Sequence, residues 1–516
     1  MAHLQHAASH VLCGAGRGNR TRSRAGRLLA AVLLAAVAAA CARNPVTGSR
    51  ELVFMSESQE ADLGRSADAQ IRSEMGVYED AALQEYVARI GNELAAVSHR
   101  PDLPWQFTVI DSPVVNAFAV PGGYIYLTRG LLAYLNDEAE LAGVLGHEIG
   151  HVTARHSVQA YSRAAGAQMG LLLGQVFVPA MRPRYGAPGA GDAAGQGLGL
   201  LFLKFGRDDE RQADRLGAEY AVASGWDPHG VGDMLTTLGR IADTTDRRGT
   251  PNWLATHPEP ADRVAGVAGT VEALLAETTD LSALRVDRAG YLARVEGIVH
   301  GDNPEQGVVR GREFLHPALR FALEFPVGWE VHNGAEVVVA REPGQDRYML
   351  LQIAEETGYD LQRTAEHGME GSGFVEVQGT TSEINGLDAY IGTYTQDVRG
   401  VGPMVARVAF IRSGSSVYLL GAFADADGFR LIERDVHDSI HSFRQIARDE
   451  ADRIRPNRLA VYHVQGGDTW QRIAQRVGDE IVPAATLAIM NGYPVNEQPL
   501  PGDVIKVVEP GREPAP

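Results

Sequence analysis

Apolar residues in the first half of the chain recur with the period of a helix. Leu83, Val87, Ile90 and Leu94 fall on one helical face. Between 138 and 152, Leu141, Val144, Leu145, Ile149 and Val152 predict a second helix with a buried flank. Asp227-Pro228 reads as an N-cap with proline at the first helical position. Strand-like runs intervene at 107–110 and, after the turn Pro121-Gly122-Gly123, at Tyr124–Thr128. This predicts a mostly α domain with a small β-sheet over 59–275, followed by a helical connector, 276–309. The period then changes to two: Leu319, Phe321, Leu323 and Phe325 alternate, and 336–340, 347–353, 388–394, 405–411 and 416–423 read as strands. A separate α+β domain is predicted at 310–445, then a linker, 446–459, and a small unit, 460–510. With 516 residues, 45% of them apolar, the chain is long enough for several domains.

The N-terminus has its own pattern. Arg17, Arg20, Arg22, Arg24 and Arg27 precede an uncharged apolar run from Leu28 to Ala40. Residues 1–40 therefore read as a signal peptide, since a span needs about 20 apolar residues. Cys41 follows Ala38-Ala39-Ala40 and resembles the lipidated cysteine of a bacterial lipobox, although Ala38 stands where leucine is usual. That resemblance implies a lipid anchor at Cys41, a tether over 41–58 and a membrane as partner. Ala42, rather than aspartate, implies the outer membrane. The only other cysteine, Cys13, lies inside the signal peptide, so the mature chain has no intramolecular disulfide. The formal charge is −18, and the first forty residues hold five arginines and no acids, leaving −23 beyond them. So acidic a chain is excluded as a nucleic-acid binder.

The buried-flank helix carries the chemistry. It contains His147-Glu148-Ile149-Gly150-His151, and residues four apart share a helix face, so both imidazoles can reach one ion. Glu148 is placed to act as base on a water that the metal activates, without ligating the metal. Polar groups in such an apolar helix would be costly to bury unless a metal compensated them. Two residues compete for third ligand. His156 is five after His151 and points about 140° off the ligand face of a continuous helix, which suits a surface or supporting group. Glu210 is the better choice, and Asp214, one turn later, is placed to accept the free N–H of a ligating histidine.

HExxH followed by Glu210-Arg-Gln-Ala-Asp214 resembles the M48 peptidases, gluzincins that include HtpX-like and CAAX-processing proteases. The likeness spans roughly 44–270 and includes Asn44-Pro-Val-Thr-Gly48, Asn116–Tyr124, Thr128–Leu131 and Thr256-His257-Pro258. It implies a zincin-type fold and one Zn2+ per chain, held by His147, His151 and Glu210 with Glu148 as base. It also implies that Asn116, Ala117, Phe118, Ala119, Gly122 and Gly123 belong to an edge strand against which an extended peptide pairs, the alternative being a tight turn alone. His257 is open between a structural role, a fourth zinc ligand that closes the site, and a transition-state group. The apolar runs Leu171–Pro179 and Leu198–Leu203, around the Gly/Ala/Pro-rich stretch 186–197, read as a lid over the cleft.

Two weaker resemblances follow. Leu319–Val331 and the closing His441-Ser442-Phe443 are similar to the PsbP-like sandwich. Tyr462–Ala474, Met490-Asn491-Gly492 and Leu500–Ile505 are similar to LysM, a βααβ unit that binds peptidoglycan. The combined expectation is a zinc endopeptidase of the cell envelope, facing the periplasm, that hydrolyses unfolded or misassembled envelope proteins. A peptidoglycan-associated hydrolase and a chaperone or scaffold with a latent zinc site are the alternatives.

Overall fold

The computed structural model describes residues 41–52, 55–162, 205–244, 253, 256–258, 260–355, 360–398, 402–478 and 481–511. The signal-peptide segment 1–40 and the expected lid lie outside the described residues. Among the described residues no helix is long and apolar enough to cross a membrane.

Among the described residues, seven helices of eight residues or more build the first domain and connector: α1 (Glu57–Met75), α2 (Ala81–Ala96), α3 (Glu138–Thr153), α4 (Arg207–Ala223), α5 (His229–Thr244), α6 (Pro260–Glu277) and α7 (Arg288–Val295). Their starts follow local chemistry. Ser56 and Gln59 form a reciprocal cap on α1, while Asp80 and Asp137 accept from backbone N–H groups of α2 and α3. Helix α3 is buried along its whole length. It packs between α4, α5 and α2 and over a three-stranded sheet of order β3-β5-β4, where β3 is Gln106–Ile110, β4 Ala117–Val120 and β5 Tyr124–Thr128. Strands β3 and β5 run parallel; β4 runs antiparallel to β5 and is terminal.

Glycines set how closely these helices approach. A Cβ on Gly146 would lie 3.0 Å from the Gly217 Cα, and one on Gly150 3.1 Å from the Ala213 Cα. A Cβ on Gly217 would meet the His147 backbone nitrogen at 3.0 Å. Helices α3 and α4 are thus in backbone contact, which is how a carboxylate on α4 reaches imidazoles on α3.

The segment expected as a tether is folded. β1 (Cys41–Arg43) and β2 (Arg50–Leu52) pair antiparallel, Cys41 opposite Leu52. Residues 310–445 hold two antiparallel sheets. The larger has seven strands in the order β10-β11-β12-β16-β15-β14-β13: β10 Glu330–Asn333, β11 Val337–Arg341, β12 Tyr348–Ile353, β13 Val375–Ile384, β14 Leu387–Val398, β15 Gly402–Ser413 and β16 Ser416–Asp425. The smaller is β17-β9-β8-β7: β7 Val308–Arg310, β8 Glu313–His316, β9 Phe321–Glu324 and β17 Arg444–Gln445. Helix α9 (Ala426–His441) closes one core of this α+β unit and α8 (Leu361–Gly371) the other.

The C-terminal unit is βααβ: β18 (Asn457–His463), α10 (Trp470–Val477), α11 (Ala484–Met490) and β19 (Val504–Glu509). It is not a free appendage. β18 also pairs with β6 (Val299–His300), and Trp470, Leu487 and Ile505 share one core with Leu141, Leu145 and Ile149 of α3. Lys506 is buried and donates to the Leu135 carbonyl, just before α3. Burial pulls its ammonium below the ordinary lysine range, and burial likewise raises the nearby Glu140 carboxyl.

Gly217→Ala tests the helix contact. Crowding two backbones costs on the order of 1–3 kcal/mol, more than the ~1 kcal/mol that alanine gains in helix propensity. Thermal unfolding of the variant is expected at a lower Tm, with reduced metal content. A Tm at or above that of the parent would show that α3 and α4 separate without cost.

Candidate metal centre

One turn of α3 separates His147 from His151, and their Nε2 atoms lie 3.0 Å apart. Glu210, in the first turn of α4, faces both: Oε2 is 3.6 Å from His147 Nε2 and Oε1 3.6 Å from His151 Nε2. His257 completes the group, its Nδ1 being 2.9 Å from Glu210 Oε1 and 3.3 Å from His147 Nε2. All four side chains are buried, with one ligand atom from each within 4.8 Å of the others. Donors held 2.0–2.1 Å from a tetrahedral ion stand about 3.3 Å apart, so these separations fit a single small divalent ion. Two imidazoles and a carboxylate are also the donor set of a catalytic zinc.

The surroundings fix which nitrogens face the ion. His147 Nδ1 lies 2.9 Å from Asp214 Oδ1, where it donates to the carboxylate and leaves the Nε2 lone pair free. Arg263 grips the same carboxylate through Nε to Oδ2 (2.8 Å) and Nη2 to Oδ1 (2.6 Å). Burial alone would raise the Asp214 carboxyl, but Arg263 and His147 hold it down at about 2. His151 Nδ1 is 3.0 Å from His156 Nδ1, and His156 Nε2 is 3.0 Å from Gln212 Oε1. Gln212 accepts from His156 Nε2–H, so His156 Nδ1 accepts from His151 Nδ1–H and His151 Nε2 is free for metal. Burial, and then the His147 and His156 imidazoles, hold His151 well below the usual histidine range.

His156 is buried, not at the surface. The 140° offset assumed an unbroken helix, whereas α3 ends at Thr153 and Arg155 takes a left-handed φ of 60°. That turn brings His156 back over His151. Arg263 is a supporting residue that spacing did not single out. Its Nη1 lies 2.7 Å from Glu210 Oε2 but out of line for a hydrogen bond, so the contact is an ion pair only. Burial favours a neutral Glu210; His257 and Arg263 outweigh it and lower the carboxyl. For His257 burial is outweighed by Glu210 and Glu148, which raise it.

Glu148 points differently. Both of its carboxylate oxygens are buried without a hydrogen-bond partner, and Oε1 is 3.6 Å from His257 Nε2. Burial raises its pKa. Phe205 lies against His151 with ring centroids 4.0 Å apart, and Trp253 stacks on His257 at 4.7 Å. Asn116 precedes the terminal strand β4, and Gly122 and Gly123, both at positive φ, turn it into β5. The Trp253 N–H donates to the Val115 carbonyl (3.4 Å), tying the His257 segment to the start of that strand.

Residues 81–271 match the model of Peptidase family M48. The beta-barrel assembly-enhancing protease of Escherichia coli (strain K12) is 32% identical over 246 residues, 46% of this chain and 50% of that protein. The corresponding protease of Yersinia pestis is 32% identical over 225 residues, 43% of this chain and 46% of that one. The mitochondrial metalloendopeptidase OMA1 of Arabidopsis thaliana is 30% identical over 219 residues, 42% of each. The chain thus spans about half the length of the curated relatives it matches. Among solved structures, a cyanobacterial PsbP from Synechocystis overlaps 27% of this chain and 95% of its own, at 12% identity and a TM-score of 0.22, too low to argue a shared fold.

His156→Leu removes the acceptor of His151 Nδ1–H. Zinc affinity, read by chelator competition, is expected to fall about 10- to 100-fold. Unchanged affinity would mean that His151 is oriented without it.

Proposed function

We propose, from the premise that residues 81–271 are an M48 peptidase domain, that this chain is a zinc-dependent endopeptidase of the bacterial cell envelope. Its substrates are unfolded or misassembled envelope proteins. The observation that carries the reading is the convergence of His147, His151 and Glu210 beside a Glu148 carboxylate that has no hydrogen-bond partner.

One zinc ion per chain, held by His147, His151 and Glu210, supplies Lewis acidity and makes water a nucleophile near neutral pH. Glu148 removes the proton from the attacking water and returns it to the departing amine. A desolvated carboxyl with a raised pKa suits both transfers. Asp214 and His156 keep the ligating nitrogens turned inward, and Arg263 holds Glu210 and Asp214 in register. An extended peptide pairs with β4, the terminal strand running from Ala117 toward the turn at Gly122 and Gly123. Such pairing selects extended backbone and excludes folded protein.

His257 acts as a plug in this reading. Its position within the donor group, and the stacking of Trp253 on its ring, support a fourth ligand that closes the site to water. Cys41 supplies the lipid anchor that holds the chain at the envelope, with the outer membrane as its surface. The βααβ unit, similar to LysM, is the candidate contact with peptidoglycan.

Glu148→Gln is expected to lower casein cleavage by about 10² to 10⁴, with zinc content unchanged. Retained activity would remove Glu148 from the chemistry. Incubation with purified sacculi, expected to release no stem peptide, separates this reading from a wall hydrolase.

His257→Ala is expected to raise the rate on unfolded substrate at constant zinc content. A rate unchanged or lowered in that variant would rule out the plug and leave His257 a structural or transition-state role.

A further inference from the structure

The N-terminal segment is bonded to the far end of the metal helix. Asn44 is buried, and its Oδ1 accepts from Val46 N (2.8 Å) and Thr47 N (3.1 Å), which folds the Asn-Pro-Val-Thr-Gly stretch into a tight turn. Its Nδ2 donates to the Ala154 carbonyl at 3.1 Å, the C-cap of α3 and three residues beyond His151. Two backbone bonds, Asn44 N to Ser49 O (2.8 Å) and Gly48 N to Asn44 O (2.9 Å), close the loop, and Val46 packs against the domain core. Arg155 adds a second tie: its Nη2 donates to Met55 O at 3.2 Å and its Nε to Glu60 at 3.1 Å. Glu60, itself buried, also accepts from Arg100 at 2.7 Å.

These contacts leave almost no slack between Cys41 and the active site. Three residues of extended chain span at most about 11 Å. From Asn44 the path continues through one hydrogen bond and one helical turn of about 5 Å. The His151 backbone therefore lies within roughly 25 Å of the Cys41 backbone, whatever the chain outside does. A flexible tether of 17 residues would instead wander by about 20–25 Å and reach about 55–60 Å at full extension.

We propose that residues 41–50 are a short, rigid leash that holds the metal cleft at the membrane surface, so that the enzyme cuts extended segments close to the bilayer. The inference rests on the lipid-anchor reading of Cys41. The substrate class becomes narrower than unfolded protein in general: it is protein whose extended stretch is held at the membrane. Soluble unfolded protein is cut only when it diffuses to the surface.

The test uses the full chain reconstituted in phospholipid vesicles. Mass spectrometry of the mature N-terminus first reads whether Cys41 carries lipid. Two reporters are then anchored in the same vesicles, each with one unfolded cleavable stretch. In one it adjoins the bilayer; in the other a proline-rich spacer of about 30 residues holds it about 90 Å away. The near reporter is expected to be cut at least about tenfold faster, because only it enjoys the effective concentration of a shared surface. A 60-residue Gly/Ser insertion between Cys41 and Ala42 lies outside the Ala42–Glu51 and Arg43–Arg50 pairing, keeps the Asn44 contacts and is expected to bring the ratio toward one. Its rate on soluble casein should equal that of the parent. Lipid on Cys41 with equal rates on both reporters would overturn the leash and leave the anchor standing, as would a ratio that the insertion does not change. An N-terminus without lipid would overturn both.

Discussion

Backbone contact between α3 and α4, through Gly146, Gly150 and Gly217, is the constraint on which the site depends. A carboxylate side chain is short, so Glu210 can face His147 and His151 only if the two helix axes come closer than ordinary side chains allow. Any β-carbon at those positions would push the axes apart and pull the Glu210 carboxylate away from the two imidazoles. The same contact brings Asp214, one turn along α4, against His147 Nδ1, so one approach sets both a ligand and the group that orients another.

Around that contact the protein buries several polar groups, most of them matched. Asp214 and Arg263 neutralise each other, while His156 and Gln212 pass one hydrogen-bond direction on to His151. Burying a charge without a partner is costly, so the atoms left unmatched are informative. Glu148, with both oxygens buried and without a hydrogen-bond partner, stands out among them.

The metal helix is also where the rest of the chain is fastened. Its N-terminal approach takes the Lys506 ammonium from β19, and its C-terminal cap takes the Asn44 amide from the N-terminal turn. Segments that lie at opposite ends of the sequence thereby become parts of one body around the site. The seven-stranded sheet is held more lightly: Ala335, beside β10, donates to the Glu74 carbonyl of α1.

Much of this was legible in the residues themselves. HExxH on an apolar helix placed two imidazoles on one face, because a period of 3.6 residues is a local property that needs no tertiary information. Strand-like patterns located β9, β11, β12, β14, β15 and β16 but not β7, β8, β10, β13 or β17, and Glu210 with Asp214 followed from their own one-turn spacing. Tertiary structure decided what local periodicity cannot encode. His156 reaches the site only because Arg155 breaks the helix with a left-handed residue, and spacing computed along an unbroken helix left it open between a surface and a supporting role. Arg263 matters through a contact with Asp214 across 49 positions of sequence, and Asn44 through one across 110. The expected tether became a fixed hairpin for the same reason. A short polar stretch carries no hydrophobic period, and its order comes from the turn and strand pairing within it together with the Ala154 carbonyl and the core surface of the folded domain.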